Sequence, residues 1–328
     1  MARILIAVVL LTGLLLHVGW QSVVEAFSSL DWWWLPALYA IALLGVLVQS
    51  LRWKVFLKTH DIRASTFDLF KKFWVSRFFN NFLPGQAGGD ASRILFGWQK
   101  SVKKTELASS VIMDRVAGLS GLCLVATIAG VTHLQLVRDA GLGPWIWLAA
   151  GGAVGLLALV MFRAPLRWAR NAAGCLPGQK LSSTVAGVLR DLSLHRVHRG
   201  SIARGVALGA VFYVVSAAQA YIAYRAFGVE VPIGAVLVIV PLVALIMAIP
   251  ISINGWGVAE VVKVLLYAQF GVPEAAALSV ALLGRMMLIS ISALGGLIYL
   301  SSEVSTPEHW RRARSWLPFK TGTGGAAS

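Results

Sequence analysis

Residues 73–100 read FWVSRFFNNFLPGQAGGDASRILFGWQK. The apolar arm at the start, residues 73–83, is 11 residues long. That is about 16 Å of helix against a hydrocarbon core of about 30 Å, too short to cross a bilayer. Pro84, Gly85, Gly88 and Gly89 then interrupt the helix. Two readings fit. One is a re-entrant hairpin, tolerated at membrane depth where protein or water surrounds the backbone. The other is an amphipathic surface helix followed by a loop. A second interrupted stretch, residues 233–270, carries Pro241, Pro250, Gly255 and Gly257. Its arm, residues 233–253, is long enough to cross, but the prolines favour a broken helix.

These two stretches sit in a chain of 328 residues that is 58% hydrophobic and 13% charged, with mean hydropathy +0.75. Soluble domains are about 45–50% apolar and about 25% charged. A soluble enzyme, a disulfide scaffold and a disordered chain are therefore excluded. Full-length apolar runs fall at about 4–20, 32–51, 106–131, 145–162, 205–227 and 275–300. The first has only Arg3 before it and no nearby small-x-small cleavage site, so it reads as a retained helix. The fold class expected is an all-α integral membrane protein with six transmembrane helices and two broken or re-entrant hairpins; eight transmembrane helices is the alternative. Residues 1–300 form a single polytopic domain and 301–328 a basic tail.

Net charge is +15, from 29 Lys+Arg against 14 Asp+Glu. Putting the N-terminus in the cytoplasm and alternating places 24 of the 29 basic residues in cytoplasmic segments 1–3, 52–105, 163–204 and 301–328. Only Arg138, Arg225 and Lys263 fall outside, while Arg115 and Arg285 lie within spans. This positive-inside pattern predicts a multi-pass membrane protein with both termini cytoplasmic. The excess charge is then topology and anionic-lipid contact rather than a nucleic-acid footprint.

The chain also repeats itself. The register that lays Gly85 on Gly255 superposes Asp90 on Glu260, Ser109 on Ser279, Arg115 on Arg285 and Ser120 on Ser290 as well. Each half, about 1–135 and 140–300, reads as helix, helix, broken hairpin, then a helix with a mid-span arginine. The charge map gives the halves opposite orientation. Inverted repeats with broken helices near the midplane are a transporter architecture.

Arg115 lies about 14 Å into its span, and Arg285 is placed similarly. A central arginine costs on the order of 2.5–3.5 kcal/mol on insertion scales, so each needs a partner. Asp90 and Glu260, each at the same interval upstream of its arginine, are the candidates; Asp114 points elsewhere. Arg115 and Arg285 either line a polar cavity and receive phosphate or carboxylate, or form ion pairs that pin each hairpin to its helix. Arg93 and Arg77 flank the first hairpin and are candidates for headgroup recruitment. Asn80 and Asn81, with Pro84, Gly88 and Gly89, make its turn, where free backbone N–H groups suit an anion. Pro250, Ser252, Gly255, Gly257 and Glu260 play the matching part, and Asn254 and Trp256 lie at the second tip. The first turn lacks a Walker lysine and a preceding strand. His195 and His198 read as a solvated face, and Cys123 and Cys175 as unpaired thiols. The sequence shows no nucleophilic triad, metal-ligand set or dinucleotide fingerprint, so neither a metal nor a cofactor is expected.

Three segments, NNFLPGQAGGDASR at 80–93, MDRVAGL at 113–119 and PISINGWGVAE at 250–260, resemble the lysylphosphatidylglycerol synthase transmembrane-region family of flippase-like membrane proteins. The resemblance covers about residues 5–300. Its polar signature falls on Asn80, Asn81, Pro84, Gly88, Gly89, Asp90, Arg93, Asp114 and Arg115, and in the second half on Pro250, Ser252, Gly255, Gly257 and Glu260. It implies lipid handling or translocation in a bacterial inner membrane. No lipid-aminoacylating domain follows the last span, and Ala259 stands where many members carry arginine. The function expected is therefore movement of an anionic lipid or lipid-linked phosphate between leaflets, without catalysis. The alternative is a non-transporting accessory protein that binds lipid or docks a lipid or envelope biosynthetic enzyme.

Overall fold

The computed structural model describes residues 2–80, 87–97, 102–161, 179–195, 198–249 and 252–301. Described residues form helices and no strand. In chain order the helices are α1 (Ala2–Val18), α2 (Trp20–Ser28), α3 (Leu35–Lys58), α4 (Thr66–Asn80), α5 (Ala87–Gly97), α6 (Lys104–Thr132) and α7 (Leu134–Asp139). Then come α8 (Gly143–Met161), α9 (Gln179–His195), α10 (Arg199–Ala226), α11 (Ile233–Met247), α12 (Val258–Ala268) and α13 (Glu274–Ser301).

The chain is an all-α membrane protein. Among the described residues four helical stretches are long and apolar enough to cross a bilayer: Trp32–Lys58, which is α3 with its leading 3-10 turn, and α6, α10 and α13. A fifth follows if α1 and α2 count as one broken span. The α8 helix adds 19 apolar residues, about 28 Å long. The retained helix expected at about 4–20 is present as α1, and the chain turns where it ends. It bends by 77° between α1 and α2, at Gly19 with φ of +86°.

The second hairpin differs from expectation. Its arm does not run on to residue 253. It stops at Met247, which makes it 15 residues, the same length as α4 and about 22 Å. Pro241 lies inside this helix without breaking it. The break comes later, where Asn254, Gly255 and Gly257 all take positive φ, a conformation that L side chains resist.

The register of the repeat, Arg115 on Arg285, carries α4, α5 and α6 onto α11, α12 and α13 with their ends nearly coincident, and α3 onto α10. Packing follows the same relation. The equivalent helices α3 and α10 pack against each other, and each hairpin arm crosses to the other half, α4 onto α13 and α11 onto α6. Trp74 on α4 donates its indole N–H to the Ile291 carbonyl on α13 at 2.6 Å.

One pair of contacts breaks the symmetry. The α6 and α10 helices pack closely, because Gly118, Gly121, Gly205 and Gly209 line their seam. A Cβ on Gly209 would lie 2.7 Å from the Ala117 carbonyl oxygen, and one on Gly121 would collide with the backbone of Gly209 and Ala210. Small residues let membrane helices approach backbone to backbone. The register of the repeat puts Leu288 and Ile291 at the places of Gly118 and Gly121, and Leu35 and Tyr39 at those of Gly205 and Gly209. Bulky residues hold α13 and α3 apart. A Tyr39–Ser290 hydrogen bond of 2.8 Å joins them, and a cavity fills the rest of the gap.

Candidate functional site

The first half builds a closed ion cluster. The Arg115 Nε lies 2.9 Å and 3.1 Å from the two oxygens of Asp90, and its Nη2 lies 2.8 Å from one of them. Arg93 donates to both Asp90 and Asp114. Asp114 also accepts from Arg52 Nε at 2.7 Å. Arg93 and Asp114 are each 1% exposed. The Arg93 guanidinium further lies 4.6 Å from the centre of the Phe73 ring and 5.3 Å from that of Trp53, within cation–π range of both. Each buried charge has an opposite partner in bonding range, which a low-dielectric site requires. Arg115, at the edge, retains about a third of its side-chain exposure.

Asn80 and the glycines complete this corner. The Asn80 side-chain oxygen accepts from the Gly89 backbone N–H at 2.6 Å, satisfying one of the orphan donors at the start of α5. A Cβ on Gly89 would collide with Ser76 and Asn80. Gly88 is buried beside it.

The second half opens instead. Glu260 is 1% exposed and accepts from Arg285 Nε at 2.7 Å and from the Gly257 N–H at 2.8 Å. Arg285 Nη1 donates to the Asn254 carbonyl at 2.9 Å, and its guanidinium stacks 4.7 Å from the centre of the Trp256 ring. Nε and Nη1 are thus occupied by the hairpin. Arg285 also borders the cavity between α3, α10, α11, α12 and α13, which has a volume of about 400 Å³. Its walls are mostly aliphatic and aromatic. Among the described residues three cations line it, Arg77 from α4, Lys263 from α12 and Arg285 from α13, and no aspartate or glutamate does. Neither Lys263 nor Arg77 forms an ion pair among the described residues. The Nε of Arg77 is buried without a hydrogen-bond acceptor among the described residues.

The residues singled out in the sequence separate into these two places. Asp90, Arg93, Asp114 and Arg115 share the closed cluster, while Arg285 borders the cavity with Glu260 bonded behind it. Arg93, expected on the cytoplasmic flank, is instead locked between two carboxylates and two rings. Lys263, counted with the external charges, borders the cavity. Ser252 is buried with its hydroxyl unbonded among the described residues. Asn81, Pro84, Pro250 and the tail after Ser301 lie outside the described residues, as do Cys175 and the Gly85 of the repeat. His195, read as solvated, is fully buried. Sequence reasoning missed Arg52 and Lys263. Nothing local marks Arg52, which reads as one more positive-inside residue. Lys263 carries a signal, because the register of the repeat superposes it on Arg93. Among the described residues no group of three or more His, Cys, Asp or Glu is placed to hold a metal ion.

Known proteins bear on this arrangement. The chain is 20% identical to a UPF0104 membrane protein of Methanothermobacter thermautotrophicus, with 92% of this chain and 96% of that one aligned. It is 22% identical to a UPF0104 membrane protein of Pyrococcus horikoshii over 91% and 96% of the two chains. No solved structure matches. The family model for the lysylphosphatidylglycerol synthase TM region matches residues 1–296, a span that holds both hairpins, the closed cluster and the cavity. By that match the chain belongs to the lysylphosphatidylglycerol synthase TM region family.

Proposed function

We propose that the protein carries an anionic lipid or lipid-linked phosphate between the leaflets of the bacterial inner membrane, with both termini on the cytoplasmic side. The observation that carries this reading is the cavity of about 400 Å³, apolar along its walls and bordered by Arg77, Lys263 and Arg285 with no acid in its lining. Apolar walls suit acyl chain, and three cations, of which Arg77 and Lys263 form no ion pair among the described residues, suit a phosphate or carboxylate headgroup. Ionisable residues inside a membrane face a bundle interior or a polar pathway, and mark function by default.

Arg285 is the principal headgroup ligand, and Glu260 and Asn254 aim it. The closed cluster of Asp90, Arg93, Asp114 and Arg52 is the fixed counterpart that holds α5 and α6 together, with Arg115 at its exposed edge. The α6–α10 seam is glycine-packed and static, so access changes at the α3–α13 gap, where bulky side chains and a single hydrogen bond leave the helices free to shift. The transport step makes and breaks no covalent bond.

Reconstitution tests the reading. Liposomes holding the full chain should move a fluorescent phosphatidylglycerol between leaflets faster than protein-free liposomes, and Arg285→Ala should remove the excess. If wild type moves no anionic lipid above the protein-free rate under any proton or sodium gradient, the transport reading is wrong.

A further inference from the structure

The internal repeat lets each half serve as a template for the other. In the first half Arg93 has its charge matched by Asp114 at 2.8 Å. The register that lays Arg115 on Arg285 carries Arg93 to Lys263, a cation for a cation, and carries Asp114 to Gly284. The basic member of the pair is kept and the acidic member is missing. Both Lys263 and Gly284 border the cavity, as does Arg285. A Cβ built on Gly284 meets no atom within 4 Å, so the volume that the aspartate occupies in one half is open in the other.

We infer that the place left by this carboxylate is the seat of the ligand's anion: an oxyanion group, phosphate or carboxylate, lies over Gly284 and bridges Lys263 and Arg285. This rests on the reading that the cavity takes an anionic amphiphile, and it narrows the ligand class. With three cations and no acid on the lining, the seat matches a headgroup that carries negative charge without a compensating amine. A zwitterionic or aminoacylated headgroup brings a cation that has no acceptor carboxylate in the cavity and meets Arg77 or Lys263 instead. Like charges in a partly buried site are costly.

Gly284→Asp tests the seat directly, because it restores in the second half the carboxylate that the first half has. Binding to the full chain, purified in a neutral detergent, is measured by titration calorimetry with dihexanoyl phosphatidic acid, dihexanoyl phosphatidylcholine and inorganic phosphate. Wild type should bind phosphatidic acid at least about tenfold tighter than phosphatidylcholine, the worth of one charge-assisted hydrogen bond. Gly284→Asp should weaken phosphatidic acid by about tenfold or more, while Gly284→Asn, which adds similar volume without charge, weakens it by less than about threefold. Lys263→Gln should weaken it as well, and combining it with Gly284→Asp should cost less than the two losses multiplied. Unfolding midpoints of all variants are measured alongside. The seat is refuted if Gly284→Asp binds phosphatidic acid like wild type, if Gly284→Asn is as damaging as Gly284→Asp, or if phosphatidylcholine binds equally well. Inorganic phosphate binding with the same response at position 284 would uphold the seat and assign it to a free oxyanion. Binding that obeys these rules in a protein that moves no lipid when reconstituted would uphold the seat and end the transport reading. Transport left unchanged by Gly284→Asp would do the reverse.

Discussion

The two halves share an order of helices and a pair of acid–arginine bonds, yet one half is closed and the other open. Between α6 and α10 four glycines bring the backbones into contact, and three arginines face two aspartates beside that seam. Between α13 and α3 the equivalent positions are Leu288, Ile291, Leu35 and Tyr39. The helices stand apart, and Lys263 and Arg285 face a cavity with one glutamate behind them. Two substitutions of kind account for most of the difference. Glycine against a bulky residue sets the spacing, and Asp114 against Gly284 sets the charge. The teaching is that the asymmetry lies in side chains as well as in conformation. A simple exchange of shapes between halves would drive Leu288 and Ile291 into a backbone that only glycine admits, so the glycine seam and the cavity are not interchangeable.

The largest expected effect separates the two clusters by stability. Arg52 keeps 8% of its side-chain exposure and Asp114 1%. Asp114→Asn leaves Arg52 without a carboxylate and removes one of two from Arg93. Breaking a buried pair from one side costs about 3–5 kcal/mol. Reversible unfolding in mixed micelles should show that loss. Lys263→Met should instead cost nothing measurable or raise stability, because it removes a cation with no ion-pair partner among the described residues. Equal losses for the two variants would erase the distinction between closed and open clusters.

How much of this could be read from the chain depends on where the physical demand is local. The first hairpin was legible because an apolar arm too short to cross, followed by Pro-Gly and Gly-Gly, has few other solutions. The Asp90–Arg115 and Glu260–Arg285 pairs were legible because a mid-span arginine requires a counter-charge, and the same interval of 25 residues recurs. The Arg52–Asp114 bond was not, since its 62-residue interval has no periodicity and depends on how α3 lies across α6. The 77° bend at Gly19 was hidden inside an unbroken apolar run. Pro241 misled in the other direction. A proline in an apolar helix suggests a break, but neighbouring helices in a membrane accommodate the lost hydrogen bond. The cavity itself could not be read from either half alone, because it is the difference between them.

Glycine substitutions test the spacing side of the comparison, with effects of opposite sign. Gly121 and Gly284 both lie in the middle of long helices. A methyl on Gly121 collides with the α10 backbone, which cannot yield without moving the helix. Overpacking of that kind costs about 1–3 kcal/mol. A methyl on Gly284 meets open space, and replacing a mid-helix glycine by alanine gains about 0.5–1 kcal/mol. Unfolding midpoints should therefore fall for Gly121→Ala and rise slightly for Gly284→Ala. A fall of similar size for both would mean that the α3–α13 gap is packed like the α6–α10 seam.

The smallest effect concerns what covers the closed half. There α9 packs on α6 and is held by a histidine pair. His195 Nδ1 lies 2.8 Å from the Thr59 hydroxyl, His60 Nε2 lies 3.0 Å from His195 Nε2, and the Ser109 hydroxyl lies 2.8 Å from His60 Nε2. Thr59 and Ser109 both donate their own protons to backbone carbonyls, so each accepts from a histidine. His195 therefore carries its proton on Nδ1, and its Nε2 shares the single His60 Nε2–H with the Ser109 oxygen. A second proton on His195 would set donor against donor. Burial, with His60 and His198 nearby, pushes His195 from its ordinary 6.5 down to about 3. Burial also lowers His60, against the raising pull of the Glu106 and Asp191 carboxylates. The docked helix thus keeps both rings neutral, and an undocked one takes up protons near pH 6.5. Docking is at full strength above that value and weakens as pH falls from there toward about 3. At about pH 5.5 the loss from His195 should be about 1 kcal/mol, seen as faster amide exchange in residues 179–195 than at about pH 7.5. His195→Phe should flatten this dependence, because Phe56 already meets the ring edge to face at 5.7 Å between centroids and the replacement has no proton to take. On the open half the hairpin turn is covered by α1 instead, with the Ala7 carbonyl 2.8 Å from a Cβ built on Gly257. That contact has no titrating group, so exchange in α1 near Ala7 should be unchanged between the two pH values. A parallel acceleration there would show that acid loosens the whole bundle, and the histidine pair would then lose its claim to hold one side.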